Sequence, residues 1–156
     1  MPSLDEDLRR VTHVHYVTGN AAVNFHWPGK ATGGWHRLSY WDSSVGRVRV
    51  ALAGIHYPDT TRYFAEVGIV NASRELERQG WLIEGDIFMA NHYRATADMV
   101  VTWALGSSKH CNVDLADWFP EDAESQQVID LLASALPKLD QLPRKRLSQW
   151  LECQQQ

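Results

Sequence analysis

The sequence predicts an α+β fold: an N-terminal antiparallel sheet of about four to five strands, covered on one face by three to four helices from the C-terminal half. Two observations predict this class. Polar and apolar residues alternate in the first half of the chain, whereas apolar residues recur every three to four positions in the second. With 156 residues, 44% hydrophobic and 22% charged, the chain fits one domain spanning 1–156.

The predicted strands are short and lie between turn residues. They cover residues 11–18, 21–27, 35–41 and 47–55, followed by a stretch from Trp81 to Ile83 that could continue to Met89. The two segments 35–41 and 47–55 predict a hairpin, because the residues between them include aspartate, serine and glycine. In the second of these, Val48 and Val50 alternate with Arg49, which indicates a sheet with one covered face.

Four helices are predicted after residue 70. The first is capped by Asn71 and ends before Gly80, and the second covers 91–105. The third begins at Pro120, carries acidic residues in its first turn and stops at Pro137. The last covers Arg144 to Glu152.

Charge is unevenly distributed along the chain. Residues 8–65 carry a net charge of +5, residues 66–135 carry −8, and the whole chain carries −4. This asymmetry indicates a charged partner, self-association, or attraction between the two halves of one fold. The isoelectric point of about 5.9 disfavours nucleic acid, although basic residues such as Arg49 alternate with aromatic ones in the predicted sheet.

The cysteine and hydropathy patterns predict a cytoplasmic protein that does not enter a membrane. No run of about 18 apolar residues occurs, and the two cysteines, Cys111 and Cys153, form no recognisable motif. No cofactor and no family is indicated by any motif in the chain.

Residues 8–65 hold the candidate site, because most of the histidines are concentrated there. They are His13, His15, His26, His36 and His56. On a strand, His13 and His15 would share one face about 7 Å apart, and either could bind a ligand. They could also bind a metal with a third ligand from His26, His36, His56 or Asp59, but no metal ligand is assigned.

The second candidate is the segment that follows a predicted strand, 56–63. His56 is predicted as a catalytic base and Asp59 as the carboxylate that orients it. Arg62, Tyr57 and Tyr63 are predicted to bind an anionic group. The alternative is an ordinary turn in which Asp59 and Thr61 cap the backbone.

Three functions follow from these patterns. The preferred hypothesis is a small ligand-binding domain, with or without enzymatic activity, whose His-, Arg- and Tyr-lined site holds an anionic small molecule. The first alternative is a non-catalytic interaction or accessory protein that forms a homodimer through exposed tryptophans. The second is a metal-dependent hydrolase built on the N-terminal histidines.

Overall fold

A computed structural model of the chain describes residues 6–28, 38–44 and 48–154. The strands in these ranges are β1 (Val17–Thr18), β2 (Ala51–Leu52), β3 (Ile69–Asn71) and β4 (Phe88–Ala90). The α-helices are α1 (Glu6–Arg9), α2 (Asn20–Val23), α3 (Thr61–Phe64), α4 (Ser73–Arg78), α5 (His92–Leu105), α6 (Leu115–Trp118), α7 (Asp122–Ala135) and α8 (Gln141–Gln154). Two 3₁₀ turns cover Leu38–Trp41 and Leu136–Lys138. The α+β class is therefore confirmed.

The four strands form one sheet in the order β2-β1-β4-β3. The β1–β2 and β3–β4 pairs are antiparallel, with Val17 opposite Leu52 and Val70 opposite Met89. The central pair, β1–β4, is parallel, with Val17 opposite Met89. The sheet is thus mixed, and the prediction of a purely antiparallel sheet is wrong. The parallel pair arises because some seventy residues of chain, including β2 and β3, separate β1 from β4.

Helix α5 joins the sheet to the other helices. It packs against β1, β4 and α2 on one side and against α7 and α8 on the other. Two hydrophobic clusters result. The sheet cluster surrounds Tyr16, Phe25 and Met89, and the helical cluster surrounds Phe119, Leu132 and Leu147. Among the described residues, no helix is both long enough and apolar enough to cross a bilayer.

The first two predicted strands are largely wrong. Residues 11–18 pair only at Val17–Thr18, because Thr12 and His15 close a turn upstream. In that turn the Thr12 backbone N–H donates to the His15 carbonyl at 3.1 Å, and the His15 N–H donates to Thr12 Oγ1 at 3.0 Å. The segment 21–27 begins within helix α2, whose residues 21–23 are buried between β1 and α5. Burial on every side removes the polar face by which a helix is recognised.

The predicted hairpin and the strand at Trp81 also differ from the structure. The predicted hairpin falls partly outside the described ranges, at residues 35–37 and 45–47. Its described part at Leu38–Trp41 is a 3₁₀ turn. Strand β2 pairs with β1 and not with the predicted partner strand at 35–41. Residues 81–83 form no strand, since the Trp81 N–H donates to the Leu76 carbonyl at 3.0 Å and its buried ring packs against Trp41, with ring centres 5.9 Å apart. The strand lies further along, at β4, and β3 was not predicted.

The helical predictions are confirmed with small shifts in their ends. Asn71 Oδ1 accepts the Ser73 N–H at 3.0 Å, α4 is followed by Gly80 at φ +98°, and Asn91 caps α5 by accepting the Arg94 N–H at 2.8 Å. Helix α7 starts two residues after Pro120. Helix α8 begins one turn earlier than predicted, because Pro143 is tolerated in the first turn of a helix.

Candidate functional site

A cleft of about 420 Å³ lies between α2, β2 and the chain that follows β2. We call it the Arg49 cleft. Its lining consists of Asn20, Ala21, Tyr40, Arg49, Val50, Ala51, His56 and Tyr57. His56 and Tyr57, two of the residues predicted from the sequence, therefore lie together in one concave surface, and Arg49 and Tyr40 join them.

A tight turn after β2 brings His56 and Tyr57 back to this cleft. The Leu52 carbonyl accepts the backbone N–H groups of Ile55, His56 and Tyr57 at 3.2, 2.9 and 3.2 Å. Gly54 has φ +77°, a conformation that side chains rarely adopt, and its N–H donates to the Tyr57 carbonyl at 2.7 Å. The turn is thus fixed by backbone bonds on both sides.

The Tyr57 side chain is half-buried beside Gly19. A Cβ atom at Gly19 would lie 2.7 Å from the Tyr57 hydroxyl oxygen, so the ring occupies space that only glycine leaves open. Burial raises the pKa of Tyr57, and the nearby charge of Asp98 and the Tyr40 hydroxyl raise it further. The hydroxyl is therefore protonated at neutral pH, and it makes no hydrogen bond with another described residue.

His56 presents a donor rather than a base to the cleft. Its Nδ1 accepts the Leu52 backbone N–H at 2.9 Å. A nitrogen that accepts a hydrogen bond is unprotonated, so the neutral ring carries its proton on Nε2. The lone pair that a general base would use is already occupied by Leu52.

The polar groups of the Arg49 cleft are mostly donors. Arg49 is exposed and is the one permanently charged side chain among the described residues that line the cleft, and none of these residues has a carboxylate. The Tyr40 hydroxyl is used internally, since it donates to the Arg49 carbonyl at 2.5 Å. The Arg49 guanidinium, the Tyr57 hydroxyl and the His56 Nε2–H remain for a ligand.

Asp59 is engaged within its own turn. Its Oδ1 accepts the Thr61 backbone N–H at 2.9 Å and the Thr61 hydroxyl at 2.7 Å. These two bonds, the hydroxyl first, hold the pKa of the Asp59 carboxyl below its usual range, and the charges of Arg94 and His15 contribute in the same direction. This is the capping arrangement that the alternative interpretation of the segment predicted. Asp59 does not line the Arg49 cleft.

The remaining predicted residues lie apart from this cleft. His15 is half-buried, and its Nδ1 donates to the Ala53 carbonyl at 2.9 Å. This hydrogen bond stabilises the turn that follows β2. His13 is exposed with its ring edge-on to Phe88 at 6.2 Å. Arg62 is exposed, with its guanidinium carbon 5.2 Å from the ring centre of Tyr63. Tyr63 itself is buried in the helical cluster.

The sequence interpretation missed a buried ion pair on α5. Arg94 and Asp98 have side-chain exposures of 0% and 2%, and Arg94 Nε lies 3.1 Å from Asp98 Oδ1. Arg94 Nη1 donates to the carbonyls of Ala65 and Val67 at 3.0 and 2.6 Å. Its Nη2 donates to the Tyr16 and Thr60 hydroxyl oxygens at 3.0 and 3.2 Å. All five guanidinium N–H groups therefore have acceptors.

Asp98 is equally satisfied by its neighbours. Its Oδ2 accepts the hydroxyls of Tyr16 and Thr18, each at 2.8 Å, and its Oδ1 accepts the Thr60 hydroxyl at 2.6 Å. Burial raises the pKa of Tyr16, and the Asp98 charge adds to this effect. A closed network without a free donor or acceptor is typical of a structural element rather than a binding site.

A specific signal for this network is present in the sequence. The i, i+4 spacing of Arg94 and Asp98 ordinarily indicates a surface pair. Apart from this pair, however, most residues of α5 are apolar or small. A helix with this composition is buried around most of its circumference. A charged pair on such a helix must be buried too.

The described residues contain no group of three histidine, cysteine, aspartate or glutamate side chains that could hold a metal ion. His36, one of the proposed third ligands, lies outside the described ranges. Comparison with known proteins adds no assignment: no family model, curated protein or solved structure matches the chain.

Proposed function

We propose that this protein binds a small anionic molecule in the Arg49 cleft. The observation that carries the proposal is the composition of the described lining residues, which offer one guanidinium and several N–H or O–H donors but no carboxylate. An anion placed there meets no like charge among the described lining residues, and the turn after β2 already holds His56 and Tyr57 in place.

Each of the three free groups has a distinct role in this proposal. Arg49 supplies the permanent positive charge, and its planar guanidinium can pair with two oxygens of a carboxylate or phosphate. The Tyr57 hydroxyl and the His56 Nε2–H add neutral donors that fix the orientation of the ligand. Binding is favoured over base catalysis, because the basic nitrogen of His56 accepts the Leu52 N–H.

Two other clefts lined by described residues have a different polarity. The cleft that contains Lys109 and Arg146 also contains Asp114, and the one beside α7 contains Asp130. A bound anion would be repelled in each of them by the carboxylate. This contrast supports the Arg49 cleft over the alternatives for an anionic ligand.

No observation favours the other two hypotheses equally. The described tryptophans are buried or half-buried, so none of them is an exposed interface anchor. The homodimer and the metal-dependent hydrolase remain predictions from the sequence.

The test is a titration with inorganic phosphate and with acetate at constant ionic strength, followed by NMR on the backbone amides of residues 49 and 57. Arg49→Gln should weaken binding by roughly tenfold to a hundredfold, the value of a charge-assisted hydrogen bond. Tyr57→Phe should weaken it by roughly twofold to tenfold. Arg74→Gln is the matched control, because Arg74 is exposed on α4 outside the cleft.

Two results would contradict the proposal. Equal weakening by Arg49→Gln and Arg74→Gln would mean that phosphate responds to overall charge only. If neither anion perturbs the amides of the cleft at millimolar concentrations, the cleft is not an anion site.

A further inference from the structure

A second groove lies on another part of the surface, where the start of α5 meets β3 and α7. One half of it, about 340 Å³, is lined by Trp27, Pro28, Val70 and Tyr93. The other half, about 370 Å³, is lined by Tyr93 together with Gln127, Asp130 and Ser134 of α7. Because Asn91 and Tyr93 line both halves, the two halves adjoin. We call this surface the Tyr93 groove.

The first half of the Tyr93 groove is aromatic and apolar. Trp27 is half-buried against Phe25, with ring centres 4.7 Å apart and the planes at 73°, and this contact orients the indole. Tyr93 is held by Phe119, whose ring centre is 5.5 Å away. Val70 is 37% exposed beside them. Two oriented rings with an aliphatic neighbour form a surface onto which another flat ring can pack.

The second half is polar and carries a negative charge. Gln127, Asp130 and Ser134 lie three to four residues apart on α7, so they share one face of the helix. Asp130 Oδ1 accepts the Gln126 amide at 2.8 Å, which leaves Oδ2 for another donor. Among the described residues, no lysine or arginine lines either half, and His92 donates through Nε2 to the Phe25 carbonyl at 2.7 Å.

We infer that the Tyr93 groove binds a small aromatic cation, with its ring against Trp27 and Tyr93 and its ammonium group at Asp130. Charge complementarity selects the cation, because the Asp130 carboxylate is the one formal charge among the described residues that line the groove. The site is separate from the Arg49 cleft and has the opposite charge preference.

The experiment compares tryptamine with indole-3-acetate, which share the indole ring and differ in the sign of the charge. Binding is followed by NMR at the backbone amides of Gly68 and Gln127, which line the groove. Tryptamine should bind roughly twofold to fivefold more tightly than indole-3-acetate, as expected for an ion pair that remains partly exposed.

Reversal of the charge at Asp130 gives the sharper test. Asp130 is exposed on α7, so lysine is tolerated there by the helix. In Asp130→Lys the preference should reverse, and indole-3-acetate should bind more tightly. Asp117→Lys is the matched control, because Asp117 is an exposed acid on α6 that does not line the groove. It should leave the preference for tryptamine unchanged.

Three results would overturn the inference. They are an absence of perturbation at Gly68 and Gln127 by either compound, equal binding of both compounds to the unaltered protein, and an unchanged preference in Asp130→Lys. None of them bears on phosphate binding at Arg49, so the two proposals fail independently.

Discussion

Gly19 controls the position of the Tyr57 ring. Its backbone has φ +69°, and a Cβ atom there would overlap the end of the Tyr57 side chain. Gly85 provides a useful comparison, since it has φ +119° but nothing lies within 4 Å of its Cβ position. Both glycines have a positive φ that other residues rarely adopt, but of these two only Gly19 also leaves space for a side chain of the Arg49 cleft.

Gly19→Ala and Gly85→Ala should both destabilise the protein by about 1–3 kcal/mol, because alanine is strained at these φ values. Urea denaturation measures this loss. Gly19→Ala should in addition displace Tyr57 and weaken phosphate binding, whereas Gly85→Ala should leave it unchanged. Equal phosphate affinities in the two variants would show that the position of the Tyr57 ring does not matter to the ligand.

The candidate site was predicted from the sequence in part. His56 and Tyr57 were identified because a loop after a strand concentrates functional side chains. Arg49 was noted only as a basic residue among aromatics, since its approach to Tyr57 depends on the turn at Gly54. The hydrogen bond from Leu52 to His56 Nδ1 was unpredictable in the same way, because it depends on backbone geometry that residue type does not specify.

Among the elements, the three long helices followed their sequence signals, whereas the strands did not. Helices α5, α7 and α8 have 14 residues each, long enough for the apolar spacing to repeat several times. The described strands have two or three residues, too few for alternation to be distinguished from chance. Their pairing depends on contacts distant in sequence, such as Val17 with Met89.

The turn at Asp59 is an element whose stability should depend on pH. The folded protein lowers the pKa of Asp59 through Thr61, so the ionised carboxylate is favoured in the folded state. A group with a depressed folded pKa contributes stability above its unfolded pKa, and that contribution is lost as the pH falls through the folded value. NMR titration of the Asp59 carboxyl carbon should give a midpoint below the usual 3.8.

Thr61→Val tests the cause of this shift. It removes the hydroxyl and leaves the backbone N–H, so the Asp59 midpoint should move back towards its ordinary value. In Asp59→Asn the acid-dependent contribution disappears, and the stability advantage of the unaltered protein over this variant should shrink between about pH 5 and pH 2. A midpoint unaffected by Thr61→Val would contradict the assignment.

At the scale of the whole molecule, the Arg94–Asp98 network connects the two hydrophobic clusters. It reaches Tyr16 and Thr18 on the side of the sheet cluster. It also reaches Phe64, a member of the helical cluster, whose ring centre lies 5.1 Å from the Arg94 guanidinium carbon. The two clusters share α5 as well, so we predict that they unfold as one cooperative unit, in agreement with the single domain expected from chain length.

Asp98→Asn tests this cooperativity. It leaves the buried Arg94 charge without its counterion, and removal of one partner of a buried pair costs about 3–5 kcal/mol. Native-state hydrogen exchange should therefore accelerate by roughly two to four orders of magnitude, to the same extent at the amides of Met89 in the sheet cluster and Leu132 in the helical cluster. Glu75→Gln is the control: it breaks the Glu75–Arg78 pair, in which Arg78 is 70% exposed, and should change stability by less than about 1 kcal/mol. Acceleration at Met89 with no change at Leu132, or the reverse, would mean that the clusters unfold separately and that α5 does not couple them.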